Sequence, residues 1–257
     1  MITSIPTFRV TARPRWRRTV GRPLTGGWGR SPLPSTWTLL PGHFQPAEYL
    51  AEIEDCRARF GDRLTIRAGM ELGEPHLFAS RARDVLAVGT FDFVLGSAHY
   101  ADGLECAWKP AFFRPPLRER YTAYFRQVVA LAAAGDFDVL GHLDLIKRDA
   151  RKFGHPYDGP APYADLIRTA LRSLVERGKG LEINTSPLRM GQPEPCPSLT
   201  ALRWYRELGG EILTIGSDAH FPADVGADLE TALDMAREVG FTRLATFERR
   251  QIDWRPI

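Results

Sequence analysis

Ile212-Leu213-Thr214-Ile215-Gly216-Ser217-Asp218-Ala219-His220 is the stretch on which the reading of this chain turns. A short, mostly apolar run leads into a glycine, and a carboxylate and an imidazole follow two residues apart. In an extended chain, residues i and i+2 project from one face. Asp218 and His220 would therefore leave the end of a buried strand together. Such a pair suits a divalent metal or acid–base chemistry. The structural alternative is an Asp that caps the next turn and a His satisfied locally. Four earlier segments end in the same way, and that repetition carries the argument.

Working back along the chain, apolar periodicity predicts a helix over 47–61 and a strand over 64–72 that ends at Glu71. A helix over 79–88 precedes a strand at 91–95, which runs into Gly96-Ser97-Ala98-His99. A long helix over 116–134, with Pro116 near its first turn and Gly135 beyond its end, precedes a strand at 137–140. That strand runs into Gly141-His142-Leu143-Asp144. Helices at 163–177 and 198–208, each stopped by glycine, bracket a strand at 180–184 that leads into Asn184-Thr185-Ser186. After the 212–215 strand come a helix at 228–239 and a strand near 244–247.

Alternating strands and helices over some 200 residues, with neither linker nor internal repeat, predict a parallel-sheet α/β protein, either a barrel or a doubly wound sheet. The polar residues favour the barrel. Glu71, His99, His142, Asn184, Asp218 and His220 all fall at the carboxyl ends of successive strands. In a barrel those ends surround one mouth, where catalytic residues collect; in an open sheet they would lie along a line. No GxxxxGK[ST], no GxGxxG after a strand and no GxSxG elbow competes. Glu71, His99, His142, Asp218 and His220 are then metal-type ligands converging on one opening. Imidazole with carboxylate suits Zn, Mn or Fe(II), and clusters of such ions serve hydrolysis.

Composition narrows the class. The chain has 257 residues, 44% hydrophobic and 25% charged, which suits a soluble globular protein with a sizeable core. No apolar run approaches the roughly 18 residues needed to span a membrane. Cys56, Cys106 and Cys196 are far apart and form no CxxC, as expected of reduced thiols in a cytoplasmic protein. The net charge of +3 is uneven: residues 1–47 hold seven Arg and no Lys, Asp or Glu. The rest carries 27 basic against 31 acidic residues, a balance of −4 that gives no broad nucleic-acid footprint.

Five motifs in order carry a family resemblance. Gly69-Met70-Glu71, Gly96-Ser97-Ala98-His99, Gly141-His142-Leu143-Asp144-Leu145-Ile146-Lys147, Leu181-Glu182-Ile183-Asn184-Thr185-Ser186 and Gly216-Ser217-Asp218-Ala219-His220 resemble the PHP superfamily, and within it the histidinol-phosphate phosphatases. The resemblance runs from about residue 37 to the end. It implies a distorted (β/α)7 TIM-like barrel whose mouth holds a cluster of up to three divalent ions. It also implies hydrolysis of L-histidinol phosphate in histidine biosynthesis. Glu71 matches a bridging carboxylate, His99 and His142 complete one site with it, Asp218 matches a second site and His220 a third. Arg189, just after the Asn184-Thr185-Ser186 turn, is the first candidate to hold the phosphate, with Asn184 and Ser186 beside it; Lys147 and Arg148 come next.

The departure from the family is at the start. The family opens with His-x-His on a first strand and a further His on a second, and the first 42 residues here contain no His. Residues 1–36, rich in Arg and Pro, are expected to be a poorly ordered segment, read from another frame of a GC-rich gene or from a wrongly assigned start, with residues 37–257 as the barrel domain. A barrel short of its first one or two βα units would bind metal weakly and turn over little substrate. Two other readings are a PHP-type phosphoesterase acting on a different phosphate and a non-catalytic protein that binds nucleic acid through the basic arm. The sequence leaves metal identity and oligomeric state open.

Overall fold

Residues 45–257 are described in the structure, a computed structural model. Helix α1 (Pro46–Phe60) is followed by β1 (Gly69–Gly73), α2 (Ala79–Leu86) and β2 (Phe93–Ser97). A short antiparallel ribbon, β3 (Tyr100–Ala101) and β4 (Leu104–Glu105), leads to α3 (Leu117–Ala134) and β5 (Val139–Leu140). Then come α4 (Leu145–Lys152), α5 (Ala164–Glu176), β6 (Gly180–Asn184), α6 (Leu199–Glu207) and β7 (Leu213–Gly216). Helix α7 (Leu229–Glu238) and an antiparallel hairpin, β8 (Arg243–Glu248) with β9 (Gln251–Pro256), complete the chain.

Strands β1, β2, β5, β6 and β7 form one parallel sheet in that order. A doubly wound sheet turns back at a switch point, whereas in a barrel each strand lies beside the one before it. The order here never reverses, and the fold is the TIM-like barrel that the strand-end residues predict.

The period of two explains how the sheet divides its residues. Met70, Leu72, Val94, Leu140, Ile183 and Ile215 face the main core, together with Tyr124, Phe125 and Val128 of α3 and Ile167, Leu171 and Leu174 of α5. Leu95 and Val139, partners in register, instead meet Ala245 and Phe247 of β8 in a second, smaller core on the other face. Register carries Glu71, Ser97, Glu182 and Asn184 to that same face, nearer the carboxyl ends. The β8–β9 turn seals the opposite end. Arg249 and Arg250 donate their backbone N–H groups to Oδ1 and the carbonyl of Asp92, at 3.0 and 2.9 Å. The Arg250 side chain reaches Asp138 at 2.9 Å. Both Asp residues immediately precede strands, so the carboxyl ends are left as the mouth.

Helix ends follow local chemistry: Ser198 caps α6 by accepting the Ala201 N–H at 3.3 Å. Differences from the sequence reading are local. The first strand begins at Gly69 rather than Leu64. Helix α4 was not expected, because it is only eight residues long and five of them are charged. Strand β9 was not expected either, since its residues are mostly exposed. The expectations of a poorly ordered Arg- and Pro-rich segment at 1–36 and of a barrel short of its first one or two βα units concern residues outside those described.

Candidate metal centre

Three strand ends bring Glu71, His99 and His142 together. Glu71 lies within β1, His99 two residues past β2 and His142 two residues past β5. Their donor atoms all lie within 4.8 Å of one another. His142 Nε2 is 3.0 Å and His99 Nε2 3.8 Å from Glu71 Oε1. Ser97, next along the same face of β2, donates its hydroxyl to Glu71 Oε1 at 2.6 Å. The backbone at His142 is at φ 22° and that at Asp218 at φ 51°, a region L residues adopt at some cost.

The donors fit a divalent ion. Both ring nitrogens of His99 and Nδ1 of His142 are buried without a hydrogen-bond partner among the described residues, a state that is costly for polar groups unless something else binds them. Burial, with the charge of His142 adding to it, pushes His99 down to about 3, so its imidazole is neutral and its lone pair is available near pH 7. Burial also pulls on His142, but its hydrogen bond to Glu71 and that carboxylate's charge outweigh it, and the net shift is upward. The hydrogen bond between His142 and Glu71 thus lies where an ion would compete for the same atoms.

Two acidic residues that the motif reading passed over hold this cluster. Glu182, on β6 and 2% exposed, takes the His142 N–H on Oε2 at 3.1 Å and the Asn184 Nδ2 at 3.3 Å. Glu74, just past β1, accepts the backbone N–H groups of His99 and Tyr100 on Oε1, while its own N–H goes to the Ser97 carbonyl at 2.9 Å. A charged residue inside a strand buried on both faces was the available signal for Glu182. Nothing in the sequence marked Glu74.

The other wall carries the remaining residues. His220 Nδ1 lies 3.0 Å from the Asp218 carbonyl and 3.9 Å from its carboxylate, and neither residue joins the Glu71 cluster. Asn184 is fully buried and accepts the Ser186 N–H at 3.0 Å, fixing the turn that presents Ser186. Arg189 donates to the carbonyls of Ser217 and Asp218 at 2.5 and 3.1 Å and lies 3.6 Å from Asp224. Arg148 is the cation turned inward, its Nη1 3.3 Å from Ser186 Oγ and 3.7 Å from Asp218 Oδ2. Lys147 is also buried, but turns away to Glu194 at 3.2 Å and the Pro195 carbonyl at 2.6 Å.

The chain is similar to several known proteins. The PHP domain family matches residues 30–186. A protein of Deinococcus radiodurans named "Probable histidinol-phosphatase" is 34% identical over 215 residues, which are 81% of this chain and 77% of that protein. A Clostridium acetobutylicum protein of the same name is 32% identical over 187 residues, 71% of each chain. The fold is similar to the crystal structure of histidinol phosphate phosphatase from Lactococcus lactis complexed with zinc, L-histidinol and phosphate. That likeness has a TM-score of 0.65 and 24% identity, over 83% of this chain and 82% of the other.

Proposed function

The chain belongs to the PHP domain family, and we propose that it is a metal-dependent phosphomonoester hydrolase that converts L-histidinol phosphate to L-histidinol and phosphate. The observation that carries the reading is the Glu71–His99–His142 cluster, with its unpartnered buried imidazole nitrogens, opening onto a mouth that holds an inward-facing guanidinium. The choice of substrate is taken from the named activity of the relatives.

Glu71, His99 and His142 would hold a divalent ion, Zn, Mn or Fe(II), and Asp218 and His220 would supply donors for further ions on the other wall. Such ions, when bound, supply a polarised water and neutralise charge on phosphoryl oxygens. The chain's own residues orient and bind. Ser97 and Glu182 fix Glu71 and His142, and Glu74 fixes the end of β2 that carries His99. Arg148 Nη1 and the Ser186 hydroxyl would meet the phosphoryl oxygens, since a guanidinium is the side chain best matched to them. Asn184 holds the Ser186 turn, and Arg189 braces the backbone behind Asp218. Among the described residues no helix is long and apolar enough to cross a membrane. Three free thiols accord with a reducing compartment, and we place the protein in the cytoplasm.

The test is turnover by metal-loaded protein on histidinol phosphate against a panel of other phosphomonoesters, with Glu71→Gln as control. Preference for histidinol phosphate, lost in the variant, is expected. A better substrate elsewhere in the panel would leave a phosphoesterase of different specificity, and no turnover at full metal content would overturn the reading.

A further inference from the structure

Arg148 and Asp149 are both buried, and the guanidinium is divided between two directions. One edge is held by Asp149, with Nε to Oδ1 at 2.8 Å and Nη2 to Oδ2 at 3.2 Å. The remaining nitrogen, Nη1, points away from that edge to Ser186 Oγ at 3.3 Å and toward Asp218 Oδ2 at 3.7 Å. Adjacent residues on a helix do not face each other, so this pairing needs the Arg148 side chain folded back, and something must keep it there.

Trp108 does so. Arg148 Cζ lies 4.4 Å from the centroid of the Trp108 ring, and Asp149 Oδ2 accepts the Trp108 backbone N–H at 2.8 Å. The Trp108 backbone is at φ 62°, in the left-handed region, where a bulky residue persists only if its surroundings over-determine it. Asp149 thus ties the helix-borne cation and the loop-borne ring to a single carboxylate. Lys152 lies over the same ring with Nζ at 3.7 Å, adding a second cation to that wall. A free arginine loses rotamer freedom each time it captures an anion, whereas one held in place has lost it already.

We propose that Asp149 and Trp108 are positioning residues that hold Arg148 Nη1 ready for an oxygen of the substrate's phosphoryl group. The inference rests on the phosphatase reading of the mouth. Inorganic phosphate is the probe, titrated calorimetrically into zinc-loaded protein, alongside KM and kcat for histidinol phosphate. Asp149→Asn and Trp108→Leu are expected to weaken phosphate binding and raise KM about tenfold, with kcat less affected and zinc affinity at the Glu71 cluster unchanged. Trp108→Phe keeps a ring beneath the guanidinium and is expected to recover most of the affinity, which general loosening of the fold would not produce. Asp149→Asn strands a buried charge; should it fail to fold, the comparison of Trp108→Leu with Trp108→Phe decides. If Arg148→Ala weakens phosphate binding while the Asp149 and Trp108 variants do not, the positioning role is overturned and the phosphatase reading stands. If the zinc-loaded wild type neither binds phosphate nor hydrolyses any phosphomonoester, both fall together.

Discussion

Glu182 Oε2 accepts the backbone N–H of His142 at 3.1 Å, so a buried carboxylate on one strand fixes a metal-type ligand at the end of the neighbouring strand. The same side chain explains the glycine in Gly216-Ser217-Asp218. A Cβ on Gly216 would lie 2.5 Å from Glu182 Oε1, and one on Gly141 would lie 3.5 Å from Oε2 and 2.9 Å from Ser97 Oγ. Two motif glycines therefore make room for the carboxyl groups and hydroxyls that hold the ligands.

Gly216→Ala should consequently act on the site. It forces Glu182 off His142, and overpacking of this kind costs about 1–3 kcal/mol. Zinc affinity should fall along with stability. Gly180→Ala makes the same chemical change at the amino end of β6, where a Cβ would lie 2.8 Å from the Ile212 carbonyl oxygen and from Val139 Cγ2. That variant should lose stability yet keep its zinc affinity. Thermal unfolding and competition against a chromophoric chelator separate the two, and equal loss of zinc affinity in both would refute the link through Glu182.

Zinc itself should stabilise the protein. Both nitrogens of His99 and Nδ1 of His142 are buried with no partner among the described residues, so an ion satisfies imidazole groups that are otherwise bare. At a free ion concentration 100 times Kd the gain is about 2.7 kcal/mol, which for a domain of this size is a rise in Tm of about 5–10 °C. Calorimetric scans with zinc and after chelation measure it. His99→Ala should remove most of the rise, and a rise left intact would mean that zinc binds elsewhere.

Glu74 gives the apo protein a pH dependence. Burial lifts its carboxyl from the ordinary 4.5 to about 7, against the pull of the His99 and Tyr100 N–H groups. The folded state thus holds the proton more tightly than the unfolded state. The stabilisation is complete below about pH 4.5 and is lost as pH rises through 7, a swing of about 3 kcal/mol. Glu74→Gln keeps an acceptor for the two N–H groups and cannot ionise. Its apo form should unfold at higher urea than wild type at pH 8 and match it near pH 5. Parallel pH profiles for the two proteins would rule this out.

How much of this was legible beforehand depended on what each residue's neighbours in sequence could reveal. The barrel was readable because its strands are short apolar runs that end in glycine and a polar residue, and Glu71, His99 and His142 each terminate such a run. Helix α4 was hidden because it is only eight residues long and five of them are charged, too few apolar positions to show a sustained period. Arg148 could not be ranked above Arg189 from sequence. The difference lies in which partners each meets: backbone carbonyls of the 217–218 turn for Arg189, and a carboxylate edge and an indole for Arg148. Trp108 and Glu74 act across 41 and 25 residues of chain, distances over which sequence pattern carries no information.

The two walls of the mouth should load with metal unequally. On one wall, two imidazoles and a carboxylate already stand within 4.8 Å of one another, so binding requires little rearrangement. On the other, His220 Nδ1 is turned onto the Asp218 carbonyl at 3.0 Å, and the Asp218 carboxylate lies 3.7 Å from Arg148. An ion there must draw His220 off its own loop and compete with a guanidinium for Asp218. Zinc titration should therefore show a tight phase belonging to Glu71, His99 and His142, followed by weaker binding. His220→Ala should leave the tight phase and its gain in Tm unchanged while lowering turnover at least about tenfold, because hydrolysis with clustered ions depends on stabilising both the attacking and the leaving oxygen. Elemental analysis of zinc retained after dialysis, read beside kcat, checks both halves. Loss of the tight phase in His220→Ala would show that the two walls bind as one unit, and full turnover in that variant would remove His220 from the catalytic set.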